Sequence, residues 1–214
     1  MTNDNLVDSL VADGYLKTRA LIAAFRAIDR AQFVPEERQS EAYGNYPLSI
    51  GFGQTISQPL TVAFMLEELQ PRAGEKILDI GAGSGWQTAL LAHVVGSQGK
   101  VVAVERMPQL ASLARGNVGK FGFLEKKTAE VVAGDAVGGY PQGAPFDKII
   151  AAASAREIPA AWKEQLRVGG KIVAPVGESI VVLEKKGEND FEKKQFFGFQ
   201  FVPLVSRAGG VDNS

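Results

Sequence analysis

From Lys76 onward, short apolar runs alternate with stretches whose apolar residues recur every three or four positions. That alternation builds a parallel sheet from repeated strand and helix units. The runs predict strands over residues 76–80, 101–105, 131–133, 148–152 and 171–175, and the periodic stretches predict helices near 87–95, 108–120 and 159–166. Right-handed crossovers then put a ligand site at the carboxyl ends of the strands.

Upstream, Leu21, Ile22, Phe25 and Ile28 share one helix face before the chain breaks at Phe33-Val34-Pro35, which predicts an N-terminal helical cap. After Pro59, the spacing of Val62, Met65, Leu66 and Leu69 predicts another helix. Between them, residues 40–58 are rich in Gly, Pro, Ser, Asn and Tyr without sustained periodicity. Irregular stretches of that length inside compact domains are functional or disordered, and the aromatics argue for order. Beyond Gly177, two strand-like segments, 179–185 and 195–205, flank the polar turn Lys186-Gly187-Glu188-Asn189-Asp190 and predict a hairpin at the sheet edge. Residues 208–214 read as a frayed end. The expectation is one α/β domain with a doubly wound, mostly parallel, seven-stranded sheet and helices on both faces. Residues 1–58 form its cap and an irregular loop, 59–177 its core, and 178–214 the antiparallel hairpin and tail.

Composition narrows the chemistry. The 214 residues, 45% hydrophobic and 22% charged, suffice for one sizeable core. A net charge of -1 supplies no basic field for nucleic acid or an anionic membrane surface. No run of eighteen apolar residues occurs, and the opening Met1-Thr2-Asn3-Asp4-Asn5 is polar where a secretory signal is basic and then apolar, so a cytoplasmic location is expected. Cysteine is absent and His93 is the single histidine. Disulfides, thiolate nucleophiles, Cys/His zinc sites and Ser-His or Cys-His relays are thereby excluded, and no metal is expected. What remains is carboxylate, hydroxyl or lysine chemistry, or a cofactor that carries the reactive group while the protein positions it.

Gly81-Ala82-Gly83-Ser84-Gly85 follows an apolar strand and opens a helix, so a ligand could approach the backbone where a helix start offers unpaired N–H groups. A ligand-free strand-to-helix turn is the alternative. Glu105 ends the next strand, where an acid can accept from both hydroxyls of a ribose. A nicotinamide enzyme would share this pairing, but the G-x-G-x-x-G spacing is missing. Asp79, just before the turn, suits a cationic amino acid or sulfonium, where a pyrophosphate would be repelled. Its alternative is a helix or turn cap. A third strand ends in Gly134-Asp135, placing an acid that could accept from an exocyclic adenine amine.

At this point the chain resembles the protein-L-isoaspartate (D-aspartate) O-methyltransferases, a family of class I S-adenosylmethionine-dependent methyltransferases, from about Phe33 to Leu204. The most specific match is Gly53-Gln54-Thr55-Ile56-Ser57-Gln58-Pro59, close to a family signature. It is supported by Pro47-Leu48-Ser49-Ile50-Gly51, the glycine turn, Ala144-Pro145-Phe146-Asp147, Gly169-Gly170, Pro175-Val176-Gly177 and Phe201-Val202-Pro203-Leu204. The resemblance implies methyl transfer from S-adenosylmethionine to the carboxylate of isoaspartyl residues in aged proteins, initiating the repair of those damaged proteins, which are the expected partners; a monomer is expected. It implies cofactor contacts from Asp79, Gly81, Ala82, Gly83, Glu105, Arg106, Gly134 and Asp135, with Asp79 and Gly81 at the methionine end, Glu105 at the ribose and Asp135 at the adenine. Ser57 takes the catalytic position on the substrate side, beside Thr55 and Ile56, with Val202 and Val205 closing over the peptide. The rival readings are a methyltransferase of the same fold acting on another acceptor, and a binding protein that retains the fold without catalysis.

The residues themselves agree about Ser57. The position before proline avoids helical geometry, so Gln58 is the expected N-cap, Pro59 the first helical residue, and Ser57 a hydroxyl just outside the helix. A loop serine bonding its own backbone is the alternative. A carboxylate with a pKa near 4 is ionised at neutral pH and needs no general base, which fits a chain with one histidine. His93 reads as structural, and Trp86 as packing that could shape the methionine pocket. The sequence departs from the family pattern at Gly44, where an acid is usual, at Ala136, where glycine is usual, and near residues 151–153. Ala136 would narrow the adenine side if its backbone required a positive φ.

Overall fold

The computed structural model describes residues 1–204. Val205 and the tail at 208–214 lie outside the described residues.

Two helices, α1 (Asn3–Ala12) and α2 (Arg19–Ala27), form the N-terminal cap. Thr2 and Asn5 start α1 with a reciprocal capping box, which satisfies amide groups left open at a helix start. Two short 3-10 turns lead to a two-stranded hairpin, β1 (Leu48–Gly51) and β2 (Gln54–Ile56), inside the stretch that shows no periodicity. Then follow α3 (Pro59–Leu69), β3 (Lys76–Ile80), α4 (Trp86–Val95), β4 (Lys100–Glu105), α5 (Pro108–Gly119), β5 (Ala129–Ala133), β6 (Phe146–Ala151), α6 (Ala160–Gln165), β7 (Leu166–Val176), β8 (Ser179–Lys185) and β9 (Phe191–Phe197).

The main sheet has seven strands in the order β5-β4-β3-β6-β7-β8-β9. The first five run parallel; β8 and β9 are antiparallel. Its parallel strands read as near-continuous apolar runs because both faces are covered. Along β3, Ile77 joins the core shared with the cap and α3 to α5, and Leu78 joins the opposite core with Trp162 of α6; both are fully buried. The chain leaves β3 toward β4 and β5 on one side, then returns to place β6 and β7 on the other. That reversal opens a crevice at the carboxyl ends of β3 and β6, where sheets of this type hold ligands.

The fold class matches the expectation, while several element bounds differ by one to five residues, and three differences stand out. Helix α6 stops at Gln165, and Leu166, expected as its last residue, begins β7. Strand β9 begins at Phe191 rather than 195 and ends at Phe197, so that all of β8 is paired. Its middle, Glu192 to Gln195, is exposed and polar, which hides an edge strand from any reading based on apolar runs. Third, the chain after β9 does not extend the hairpin. It turns back over the carboxyl edge of the sheet, where the Ser154 amide donates to Val202 O at 2.8 Å and the Leu204 amide to Ser154 O at 2.7 Å.

Candidate active site

The end of β3 turns through Gly81, Gly83 and Gly85, with φ of 84°, 54° and 87°, conformations that favour glycine. At Gly85 space is also short. A Cβ there would lie 2.9 Å from Val118 Cγ2 and 3.1 Å from Ala114 O, so this glycine lets the start of α4 pack against α5.

The amides of the three glycines in the turn are paired within the protein. Gly81 donates to Val104 O at 2.8 Å, Gly83 to Glu105 Oε2 at 3.0 Å, and Gly85 to Ala82 O at 2.7 Å. With these donors committed to the protein and two carboxylates close by, the turn is a poor cradle for phosphate and a better neighbour for a cation.

Glu105 is 7% exposed and reaches the cavity. Its second oxygen accepts the Met107 amide at 2.9 Å, so two backbone donors fix the carboxylate plane. Each oxygen keeps a further lone pair for a diol. Asp79 sits behind the wall and does not line the cavity. It is fully buried, with Oδ1 accepting from Gln87 Nε2 at 2.8 Å and Oδ2 from the Thr88 hydroxyl at 2.6 Å. Burial pushes its carboxyl up to about 6; the hydrogen bonds from Thr88 and Gln87 oppose that rise, and the charge of Glu105 adds to it.

These elements enclose a cavity of about 380 Å³. Gly81, Gly83, Glu105, Arg106, Asp135 and Ala136 line it together with Thr55 and Ser57. Residues 200–204 also line it, Val202 among them. The cavity does not include Ile56, Ala82 or Gly134 among its lining residues. Ile56 is 3% exposed and packs in the core, because successive residues of β2 point to opposite faces and Thr55 takes the outward one. Ala82 is buried against α5. Ala136 adopts no positive φ, so the narrowing considered for the adenine side does not arise.

Gln58 is the N-cap of α3 and Pro59 its first residue, leaving Ser57 just outside the helix. Among the described residues, no partner claims its hydroxyl. Trp86 is 2% exposed, packs edge-on against Phe25 and donates from Nε1 to Ile28 O at 3.2 Å, so it is cap packing rather than pocket wall. His93 is exposed. Gly44 lies under Tyr46, whose ring would stand 2.4 Å from an added Cβ.

Against this geometry, the family described as protein-L-isoaspartate(D-aspartate) O-methyltransferase (PCMT) matches residues 1–209. The chain belongs to this family. Its relatives include the protein-L-isoaspartate O-methyltransferase of Methanopyrus kandleri, 40% identical over 96% of this chain and 92% of the relative. The enzyme of the same name from Ignicoccus hospitalis is 42% identical over 94% of this chain and 95% of its own. A solved protein-L-isoaspartate O-methyltransferase superposes with a TM-score of 0.87 at 26% identity, covering 97% of this chain and 67% of that one. The fold is also that of a Plasmodium falciparum structure described as a putative family member in complex with S-adenosyl-L-homocysteine, with a TM-score of 0.87 at 23% identity over 96% and 99% of the two chains.

One feature of the structure escapes motif reading. Arg30 is completely buried, and its guanidinium donates to four backbone carbonyls: Nη1 to Ala42 at 2.6 Å and Gly44 at 3.2 Å, Nη2 to Tyr46 at 3.0 Å and Ser57 at 3.1 Å. Burial lowers its pKa to about 10, partly offset by Tyr46. The sequence offers little signal, since Arg30 stands beside Asp29 and near Gln32 in a segment that reads as an ordinary polar turn between Ile28 and Phe33.

Proposed function

We propose that Gly81, Gly83, Glu105, Arg106 and Asp135 hold the cofactor while Ser57, Thr55 and Val202 hold the carboxylate that receives its methyl group. The chain is an S-adenosylmethionine-dependent protein-L-isoaspartate O-methyltransferase, which esterifies isoaspartyl residues of damaged proteins and so initiates their repair. The observation that carries the division of roles is one cavity lined both by Glu105, whose carboxylate is fixed by two backbone donors, and by Ser57, whose hydroxyl is uncommitted.

When bound, S-adenosylmethionine supplies a methyl group on a sulfonium, and transfer to a carboxylate oxygen returns the broken bond's electrons to sulfur. The donor set suits such a cation: Glu105 and Asp135 at the wall, and Asp79 behind it as a source of negative potential for the methionine end. Glu105 accepts from ribose hydroxyls and Asp135 from the adenine amine, whereas Ile56, Ala82 and Gly134 act through packing and backbone. No residue has to remove a proton, because the substrate carboxylate is ionised well below neutral pH. Residues 200–204, which line the cavity, would exclude water from the site where the cofactor and the carboxylate meet. Holding nucleophile and methyl in line contributes on the order of 7 to 11 kcal/mol. In this reading the enzyme acts as a monomer in the cytoplasm.

The test is methyl transfer to a matched peptide pair, one with isoaspartate and one with aspartate at the same position. Transfer confined to the isoaspartyl peptide is expected. Equal transfer to both, or none to either, overturns the substrate assignment in favour of another acceptor.

A further inference from the structure

Arg30 carries a full charge into the interior, yet it forms no ion pair with a carboxylate among the described residues. Its four acceptors are all main-chain carbonyls, spread over sixteen residues of the irregular segment that ends at Ser57. Nε is buried without a partner. On the other side, its Cζ lies 5.5 Å from the centroid of the Trp86 ring, the first residue of the helix that the glycine turn opens. Trp86 in turn donates to Ile28 O, two residues before Arg30.

A buried polar group left unbonded costs more than a bonded one returns, so these interactions define one arrangement of the loop relative to α4. A planar fork can serve four carbonyls in fixed directions, whereas a lysine ammonium has three donors at one point.

We propose that Arg30 is a positioning residue for methyl transfer: it sets the Ser57 end of the substrate loop at a fixed distance from the cofactor turn, through the Ser57 carbonyl on one side and the Trp86 ring on the other. This rests on the substrate role given to Ser57 above. Arg30 touches neither substrate nor cofactor. Its loss therefore acts on carboxylate placement and leaves the cofactor wall standing.

The test uses Arg30→Lys, measured for kcat and KM on an isoaspartyl peptide and for S-adenosylhomocysteine affinity. Expected is a fall in kcat/KM of at least about tenfold, the size of one well-placed hydrogen bond to a charged group, with cofactor-product affinity within about twofold of the parent. In a Ser57→Ala background the same change should cost little more, since groups acting as a unit are not additive. A second variant, Arg30→Ala, should regain peptide turnover on adding methylguanidinium. The proposal is overturned by unchanged kcat/KM in Arg30→Lys, by additive losses in the double variant, or by cofactor affinity falling in step with turnover. It is also overturned if both variants fail to fold, which assigns Arg30 to structure alone. The reading on which it rests fails separately, in the parent enzyme, if isoaspartyl and aspartyl peptides are not distinguished.

Discussion

Glu105 Oε2 accepts the amide of Gly83 at 3.0 Å, so the acid at the end of β4 and the turn at the end of β3 are one hydrogen-bonded unit. The same carboxylate accepts Met107 N–H and faces the cavity. In Glu105→Gln one of these two amides meets an NH2 group instead of an acceptor, which costs about 1 to 3 kcal/mol. Calorimetric titration should show S-adenosylhomocysteine binding weakened by about 10- to 100-fold, with peptide KM little changed. Unaltered affinity would remove Glu105 from the cofactor wall.

Ser57 lies outside the α3 cap with its hydroxyl uncommitted, so truncating it leaves no buried donor stranded. A hydrogen bond to a carboxylate contributes about 1.5 to 3 kcal/mol, which sets the expected loss of kcat/KM on an isoaspartyl peptide in Ser57→Ala at about 10- to 100-fold. Affinity for S-adenosylhomocysteine should stay within about twofold. Parallel losses of both would argue that Ser57 shapes the whole cavity instead of the substrate side.

Gly85 combines a left-handed backbone with crowding by Val118 and Ala114, whereas Gly177 has φ of 58° and nothing within 4 Å of an added Cβ. Gly177→Ala thus carries only the left-handed penalty, about 1 to 2 kcal/mol. Gly85→Ala adds overpacking at the α4–α5 contact, for a total of about 3 kcal/mol. At about 2 to 4 °C per kcal/mol, thermal melting should fall by about 6 to 12 °C in Gly85→Ala and clearly less in Gly177→Ala. Equal shifts would mean that α5 yields to the new methyl group.

How much of this was legible beforehand follows from which physics each feature uses. Strands β3 to β7 announce themselves because burial on both faces demands continuous apolar runs, and β3 and β8 were legible to the residue. Strand β9 was not, since an exposed edge tolerates Glu192, Lys193 and Lys194 and leaves no such run. The site acids Glu105 and Asp135 could be placed because strand ends point at the ligand crevice. Asp79 could be found and was expected at the methionine end, but sequence does not reveal that it is fully buried behind the cavity with Gln87 and Thr88 each donating to one of its oxygens. Arg30 could not be found by motif at all; its partners are carbonyls, and every residue type supplies one.

Asp79 also makes the stability of this fold depend on pH, with a definite sign. Its carboxyl is raised from 3.8 to about 6 in the folded chain, chiefly by burial. The folded state therefore holds a proton that the unfolded state has released between these values, and stability from this group is fully present below 3.8 and lost as pH rises through about 6. A shift of about two pH units corresponds to on the order of 3 kcal/mol. Asp79→Asn cannot ionise, so it loses this dependence while its altered hydrogen bonding to Gln87 and Thr88 adds a constant offset. Urea unfolding of both proteins from pH 4 to pH 7 separates the two effects. The stability of the variant relative to the parent should rise by about 2 kcal/mol across that window, all other titrating groups cancelling in the difference. Parallel curves would show that Asp79 stays ionised throughout, its charge held by Gln87 and Thr88 alone.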